Sequence, residues 1–335
     1  LLDDVTVSDS TVIVLPEASL DVSVAEESQP DLKFSNAALE LHSNLAIQFK
    51  TNAGLFESSS YKNPYVVFHF NGNEKTVTEY KVENGQYVFT FTDIAPNQIA
   101  EKVQATLHAD WNGADVAGTP LSYGVSDYCY RMLKNSAVVN NDAYAELRTL
   151  LVDLLRYGAM AQKFTGFTGE TVDAALTDAQ AAWGTTGTPA LESKTSTSYA
   201  TVENPTASWT NVGLVLEDAV TMRFKFRTDS TAGLKVKITS DTNAEGWVID
   251  AADFQYEEST GKYYVDFSGF HAGQMRESVY VTVYNGDTAV SNTLRYTIES
   301  YAHKYQTADA TQYPYFAELV KAMMRYGDAA YNFAN

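Results

Sequence analysis

Apolar residues recur at every second position in several short stretches of the chain. Leu39, Leu41, Leu45, Ile47 and Phe49 carry this pattern, and Leu214, Leu216, Val220, Met222 and Phe224 repeat it 175 residues later. Alternation of this kind belongs to strands with one buried face. Runs rich in β-branched and aromatic residues at 65–70, 87–91 and 103–107, and at 234–238, 263–267 and 279–284, predict further strands. Asn71-Gly72, Asn112-Gly113 and Asn285-Gly286 are residue pairs that accept the left-handed dihedrals of tight hairpins. The period then changes to 3.6. Val125, Tyr128, Cys129, Met132 and Leu133, followed by Leu147, Leu150, Leu151, Leu154, Leu155 and Gly158, predict two amphipathic helices after the first set of strands. Ile298, Tyr301, Ala302 and Tyr305, followed by Phe316, Leu319, Val320, Met323, Met324 and Gly327, predict two more after the second.

The two sets match residue for residue. Tyr87, Phe89 and Phe91 answer Tyr263, Val265 and Phe267 at an offset of 176, and Tyr123 and Val125 answer Tyr296 and Ile298 at 173. Arg156-Tyr157-Gly158 answers Arg325-Tyr326-Gly327 at 169, so the drift marks short insertions in turns. An internal duplication follows. The expected fold class is α+β: two repeated lobes, each a β-sandwich followed by an amphipathic helical pair. The lobes are placed at residues 34–166 and 208–335. Residues 167–207 read as a docked linker with a short helix over 172–183, and residues 1–33 as an extension with strands at 11–15 and 20–24. Glycine on the apolar face of a helix costs about 1 kcal/mol against alanine, so Gly158 and Gly327 are read as points of close backbone packing. Asn140-Asn141-Asp142 offers the longer helix of the first half its cap, and Thr165-Gly166 ends it.

Charge narrows the partners. Lys plus Arg number 23 against 42 Asp plus Glu, and the resulting net charge of −19 repels nucleic acid and anionic bilayers. Apolar runs such as 11–15 are far shorter than the roughly 20 residues of a membrane helix, and no basic-then-apolar leader opens the chain. A soluble chain without membrane insertion is expected. The single Cys129 forms no internal disulfide, which fits the cytosol and also secreted proteins that avoid cysteine. Abundant Thr, Ser, Asn, Asp and Tyr with little Lys favours an extracellular, polysaccharide-rich setting.

Signatures of catalysis are absent: there is no G-x-S-x-G elbow, H-E-x-x-H pair, P-loop or dinucleotide fingerprint. His42, His69, His108, His271 and His303 are scattered without zinc-ligand spacing. Asn140-Asn-Asp142 and Asp241-Thr-Asn243 carry oxygen ligands but lack EF-hand spacing, and are read as caps and turns. Glycoside hydrolysis needs only two well-placed carboxylates, yet no acidic pair stands at matched positions in both halves within an otherwise polar loop. No enzyme activity, metal or cofactor is expected.

Aromatic residues in polar loops are the stronger signal. Sugar rings present apolar C–H faces and a rim of hydroxyls, which suit Trp or Tyr faces flanked by amides and hydroxyls. Trp111, Trp247, Trp183 and Trp209 have no tryptophan at their matched positions, and Trp111 and Trp247 sit beside polar turns. Tyr61, Tyr256 and Tyr284 lie near turns, while Tyr305, Tyr313 and Tyr315 surround the loop at 308–311. The expected carbohydrate-binding residues are therefore Trp111, Trp247, Trp183, Trp209, Tyr61, Tyr256, Tyr284, Tyr305 and Tyr315.

Longer runs carry a resemblance. Tyr65-Val-Val-Phe-His-Phe-Asn-Gly, Asp127-Tyr-Cys-Tyr-Arg-Met-Leu, Leu150-Leu-Val-Asp-Leu-Leu-Arg-Tyr-Gly-Ala-Met-Ala-Gln and Ala322-Met-Met-Arg-Tyr-Gly-Asp-Ala-Ala-Tyr resemble a module of secreted, dockerin-associated proteins of gut ruminococci. The resemblance spans both repeats, and within that group it is similar to the starch adherence system proteins of amylosomes. It implies a secreted or cell-surface protein that binds starch or another neutral polysaccharide in a groove, linked to scaffold proteins through modules outside this chain. The alternatives from the residues are a structural or adhesive spacer of a cell-surface scaffold and an unrecognised glycoside hydrolase or lyase. No family binding residue maps onto a position here, so the tryptophans and tyrosines above are nominated by placement alone.

Overall fold

The computed structural model describes residues 31–41, 45–57, 61–172, 189–216 and 220–335. The expected strands at 11–15 and 20–24, and the expected linker helix beyond Val172 with its Trp183, lie outside the described residues.

The fold is mixed α and β and rich in sheet, with four antiparallel sheets among the described residues. The first contains β1 (Asn36–Glu40), β2 (Ala46–Asn52), β5 (Lys81–Glu83) and β6 (Gln86–Phe91) in the order β1-β2-β6-β5. The second contains β3 (Tyr61–Phe70), β4 (Asn73–Val77), β7 (Lys102–Trp111) and β8 (Ala114–Ala117) in the order β4-β3-β7-β8, with β9 (Leu121–Gly124) also on β7. Phe68 of β3 meets Phe49 of β2 at 5.5 Å and Phe91 of β6 at 5.2 Å, so the two sheets face each other across an aromatic core.

In the second half, β11 (Ala207–Val215), β12 (Thr221–Thr228), β15 (Gln255–Glu257) and β16 (Lys262–Phe267) form a sheet of order β11-β12-β16-β15. The fourth sheet runs β10-β19-β17-β13-β14, from β10 (Ser196–Ala200), β13 (Leu234–Ser240), β14 (Trp247–Asp250), β17 (Val279–Asn285) and β19 (Thr293–Tyr296), with β18 (Thr288–Ala289) on β17. Register corresponds as well as order. Ile47 faces Phe91 in the first sheet, and Met222 faces Phe267 in the third.

Hairpin chemistry follows the expected pairs with one difference. Asn71-Gly72 and Asn112-Gly113 are left-handed at both residues, whereas at Asn285-Gly286 only the glycine is. Asn84-Gly85, which the sequence reading passed over, closes β5 onto β6 in the same left-handed way.

The helices are α1 (Gly54–Glu57), α2 (Val125–Lys134), α3 (Ser136–Val139), α4 (Ala145–Thr165), α5 (Ile298–Tyr305) and α6 (Phe316–Ala334). Asn141 accepts a hydrogen bond from the Ala143 amide just before α4, and Gly166 ends that helix in the left-handed region. α4 and α6 pack antiparallel. Tyr157 stacks on Tyr326 with centroids 5.8 Å apart, and Phe164 near the end of α4 stacks on Phe316 at the start of α6, 5.2 Å away. Leu150, Leu151, Val320, Met323 and Met324 are fully buried.

Each long helix also rests on a 3-10 turn. A Cβ on Gly158 would lie 2.2 Å from Ile99 Cδ1 and 3.1 Å from the Pro96 carbonyl oxygen. On Gly327 it would lie 2.7 Å from Met275 Sδ and 3.1 Å from the Ala272 carbonyl oxygen. Both glycines are thus points of close packing, as their places on the apolar faces predict.

Candidate functional site

A partly exposed aromatic group forms at the corner between α5 and α6. Thr297 caps α5 by accepting the Ser300 amide at 2.9 Å. The helix then places Tyr301 and Tyr305 one turn apart with rings 4.6 Å from each other. After α5 the chain folds around Asp309, whose side chain accepts the Thr311 amide and whose carbonyl accepts the amides of Gln312 and Tyr313. Tyr315 then adopts φ 65° and enters α6. A bulky residue in the left-handed region is unusual and is held there by its surroundings.

Phe316 is the base of the group. It is buried, and it meets Tyr305 at 5.2 Å, Tyr301 at 6.2 Å, Tyr313 at 6.3 Å and Phe164 of α4 at 5.2 Å. Tyr313 and Tyr315 remain about half exposed, at 48% and 50%, and Phe164 keeps 38% of its surface in water. Gln312 donates to the Tyr313 hydroxyl at 3.1 Å, and the Lys304 ammonium lies 4.9 Å from the Tyr305 ring centroid. Burial, with the neighbouring Tyr305 second, pushes the Tyr301 hydroxyl up to about 12. It therefore stays a neutral phenol at physiological pH. Flat apolar rings bordered by neutral hydroxyls and amides can stack on an uncharged ligand with C–H faces and hydrogen-bond its rim.

Of the residues nominated from the sequence, Tyr305 belongs to this ring group and Tyr315 precedes its base, Phe316, in the chain. The tryptophans are placed differently from expectation. Trp111, at the end of β7, is half-buried with its ring centroid 4.7 Å from that of Tyr61. Trp247 opens β14 and is half-buried against Phe267 at 4.8 Å and Phe270 at 6.2 Å. Trp209 packs edge-on to Phe224 and Phe226, and its Nε1 donates to the Asn292 carbonyl at 2.8 Å. The expectation of free indole faces at Trp111 and Trp247 is corrected: adjacent rings cover part of each, because both are strand residues, Trp111 paired across β7 and β3 with Tyr61 and Trp247 packed on Phe267 and Phe270.

Tyr61 is also corrected. It is wholly buried beneath Trp111 and has no face to offer a ligand. Tyr284 is half-buried on β17 opposite Lys235. Tyr256 is exposed but belongs to a separate group, its ring 4.9 Å from Tyr263. Trp183 lies outside the described residues. Missed from the sequence were Phe164, Tyr301 and Phe316. The i, i+4 spacing of Tyr301 and Tyr305 was a readable signal, whereas Phe164 joins only through the packing of α4 on α6.

A polar group on the second sheet was also missed. Tyr65 stacks on His108 at 4.8 Å and donates to Asp115 at 3.1 Å, and His108 Nδ1 lies 3.3 Å from the same carboxylate. Among the described residues, no group of three or more His, Cys, Asp or Glu is placed to hold a metal ion. Cys129 is buried, and burial pushes its thiol far above the ordinary range, so the thiolate needed for nucleophilic chemistry is suppressed. No protein-family model matches the chain, and no curated protein matches it.

Proposed function

We propose that this chain is a non-catalytic carbohydrate-binding protein that takes starch or another neutral α-1,4-glucan on the aromatic corner between α5 and α6. The observation that carries the reading is the continuous ring group of Tyr301, Tyr305, Tyr313, Phe316 and Phe164, with Tyr315 beside it in a strained left-handed conformation. The net charge of −19 suits an uncharged polymer. The resemblance of the runs at 65–72, 127–133, 150–162 and 322–331 to starch adherence proteins supports the same reading, in which the chain targets a secreted or cell-surface assembly to its substrate. We also read residues 34–166 and 208–335 as two repeated lobes. The common strand order of the first and third sheets and the matched glycine contacts of α4 and α6 support that reading.

Retardation in native gels containing amylopectin, compared with gels of xylan, mannan and soluble cellulose derivatives, tests it. Tyr313→Ala combined with Tyr315→Gly removes the two most exposed rings of the corner, and glycine accepts the left-handed backbone. The expected result is retardation by amylopectin that weakens at least about tenfold in the variant, about 1.4 kcal/mol, with an unchanged circular dichroism spectrum. Equal retardation of variant and parent refutes the corner as the site. The second reading, a structural spacer, is favoured by the packing of Trp111, Trp209 and Trp247 on other rings, and it predicts no retardation in any of the gels.

A further inference from the structure

One strand position holds very different side chains in the two halves. Leu107 and Val283 stand 176 apart, the offset that relates β6 to β16, and they face Val66 of β3 and Val236 of β13. Two residues further on, Phe68 pairs with Lys75 of β4, and Ile238 pairs with Trp247 of β14. Lys75 and Trp247 are therefore counterparts by strand register. In the second half the indole packs over Phe267, 4.8 Å away, and Phe270, 6.2 Å away. The residues matched to these at 176 are Phe91 and Ile94. Their neighbour is Lys75, whose ammonium lies 5.9 Å from the Phe91 centroid and 2.6 Å from the Asp93 carboxylate.

Where the second half seats its indole, the first has a pocket of ≈460 Å³, within the roughly 300–1,000 Å³ of small-molecule sites. Phe70 walls one side, its ring 5.4 Å from that of Phe91. Asn71 and Asn73, both exposed, line it from the hairpin between β3 and β4. Gln98 also lines it; its Oε1 accepts the Ala95 amide at 3.1 Å, and among the described residues its NH2 group donates to no partner. The hydrogen bond from Lys75 holds the Asp93 carboxyl below its ordinary range, so an ionised acceptor stands at the rim. An apolar floor bordered by amides, an ammonium and a carboxylate suits the C–H face and the hydroxyls of a sugar ring.

We propose that this pocket holds a sugar ring of a neutral glycan, seated over Phe91 and Ile94 where the second half seats Trp247, and so forms a glycan contact apart from the corner between α5 and α6. The counterpart within the chain sets the size of the occupant, a single ring system the size of an indole. The hydrogen-bonding rim sets its chemistry. The class of ligand rests on the carbohydrate reading, whereas the pocket and its counterpart do not.

Isothermal titration of the full chain with maltose tests this. Lys75→Trp gives the first half the side chain that the second half already packs at this place. It should weaken maltose binding at least about tenfold, and filling the pocket should leave the melting temperature no lower than the parent's. Asn73→Ala, at an exposed position, should weaken binding about threefold through one lost hydrogen bond, and it decides the matter if Lys75→Trp fails to fold. The variant with Tyr313→Ala and Tyr315→Gly should retain the maltose site that Lys75→Trp removes. Unchanged affinity in a folded Lys75→Trp variant, or loss of maltose binding in the corner variant alone, overturns the proposal. A parent retarded by amylopectin that takes up no maltose also overturns it and leaves the corner reading standing, so the two fail separately.

Discussion

Where α4 meets its turn and where α6 meets its turn, the same backbone arrangement is stabilised by different means. At the first junction Gly158 lies against Ile99, and residues 169–172 seal the crevice beyond it. At the second, Gly327 lies against Met275, and charged side chains take over. Arg276 makes a two-point contact with Asp328, at 2.6 and 2.8 Å, and reaches Glu299 at 2.5 Å. The positions matched to Arg276, Glu299 and Asp328 in the first half are Ala100, Ser126 and Ala159. The ionic group also anchors the chain entering the second half: Arg276 donates to the Ala190 carbonyl and Glu299 accepts the Glu192 amide. The comparison teaches that the helix-on-turn contact is set by glycine, while the surrounding shell is free to diverge into an uncharged one around Ala100 and an ionic one around Arg276.

The largest effect should come from filling the glycine contact. Gly158→Val drives a branched side chain into Ile99 and the Pro96 carbonyl, and should cost about 3 kcal/mol, the upper end of overpacking. Gly327→Val should cost about 2 kcal/mol, because the Met275 thioether can move aside where the Ile99 branch cannot. Chemical denaturation of both variants checks the difference; equal losses would mean that the backbone carbonyls, common to both junctions, set the limit.

Arg276→Met tests the shell. Glu299 is almost wholly buried, and among the described residues loss of Arg276 leaves it with Lys194, at 3.6 Å, as its cationic partner. Breaking a buried pair costs about 3–5 kcal/mol, but Arg276 is more than a third exposed and the screened value should be nearer 2. Ala100→Arg at the matched position finds no carboxylates in place of Ser126 and Ala159, and should give no gain in stability.

The smallest effect concerns acid. Burial alone would raise the Glu277 carboxyl, but hydrogen bonds from Ser240, Thr242 and Gln274 outweigh it and hold the group below its ordinary range. A carboxylate lowered on folding contributes stability that is present above its unfolded value and is lost as pH falls through the folded one. Melting temperature should therefore decline below about pH 4.3, the ordinary glutamate value, and Glu277→Gln should flatten that decline. An unchanged acid profile in the variant would assign the loss to Asp93, Asp241 or Glu257, which are also held low.

Much of the fold was legible along the chain because its signals are local. Period-two alternation marked β2, β6, β12 and β16, Asn-Gly pairs marked hairpins, and the 3.6 period marked α4 and α6 with a glycine on each packed face. The site was legible only in part. Tyr305 and Tyr315 announce themselves by flanking a polar loop, but whether a ring faces water depends on what packs over it. Tyr61 and Trp111 lie 50 residues apart and cover each other only because β3 pairs with β7 in one register.

The sequence by itself determined the element types, the turns and the residues common to both halves, since those follow from side-chain period and backbone dihedral preference. Tertiary structure alone decided which aromatic rings were covered, that Phe164 joins Phe316, and that residues 169–172 return to bond Glu101 and Gln162. Those outcomes turn on contacts between residues distant in the chain, where burial is a property of the packed neighbours and not of the residue.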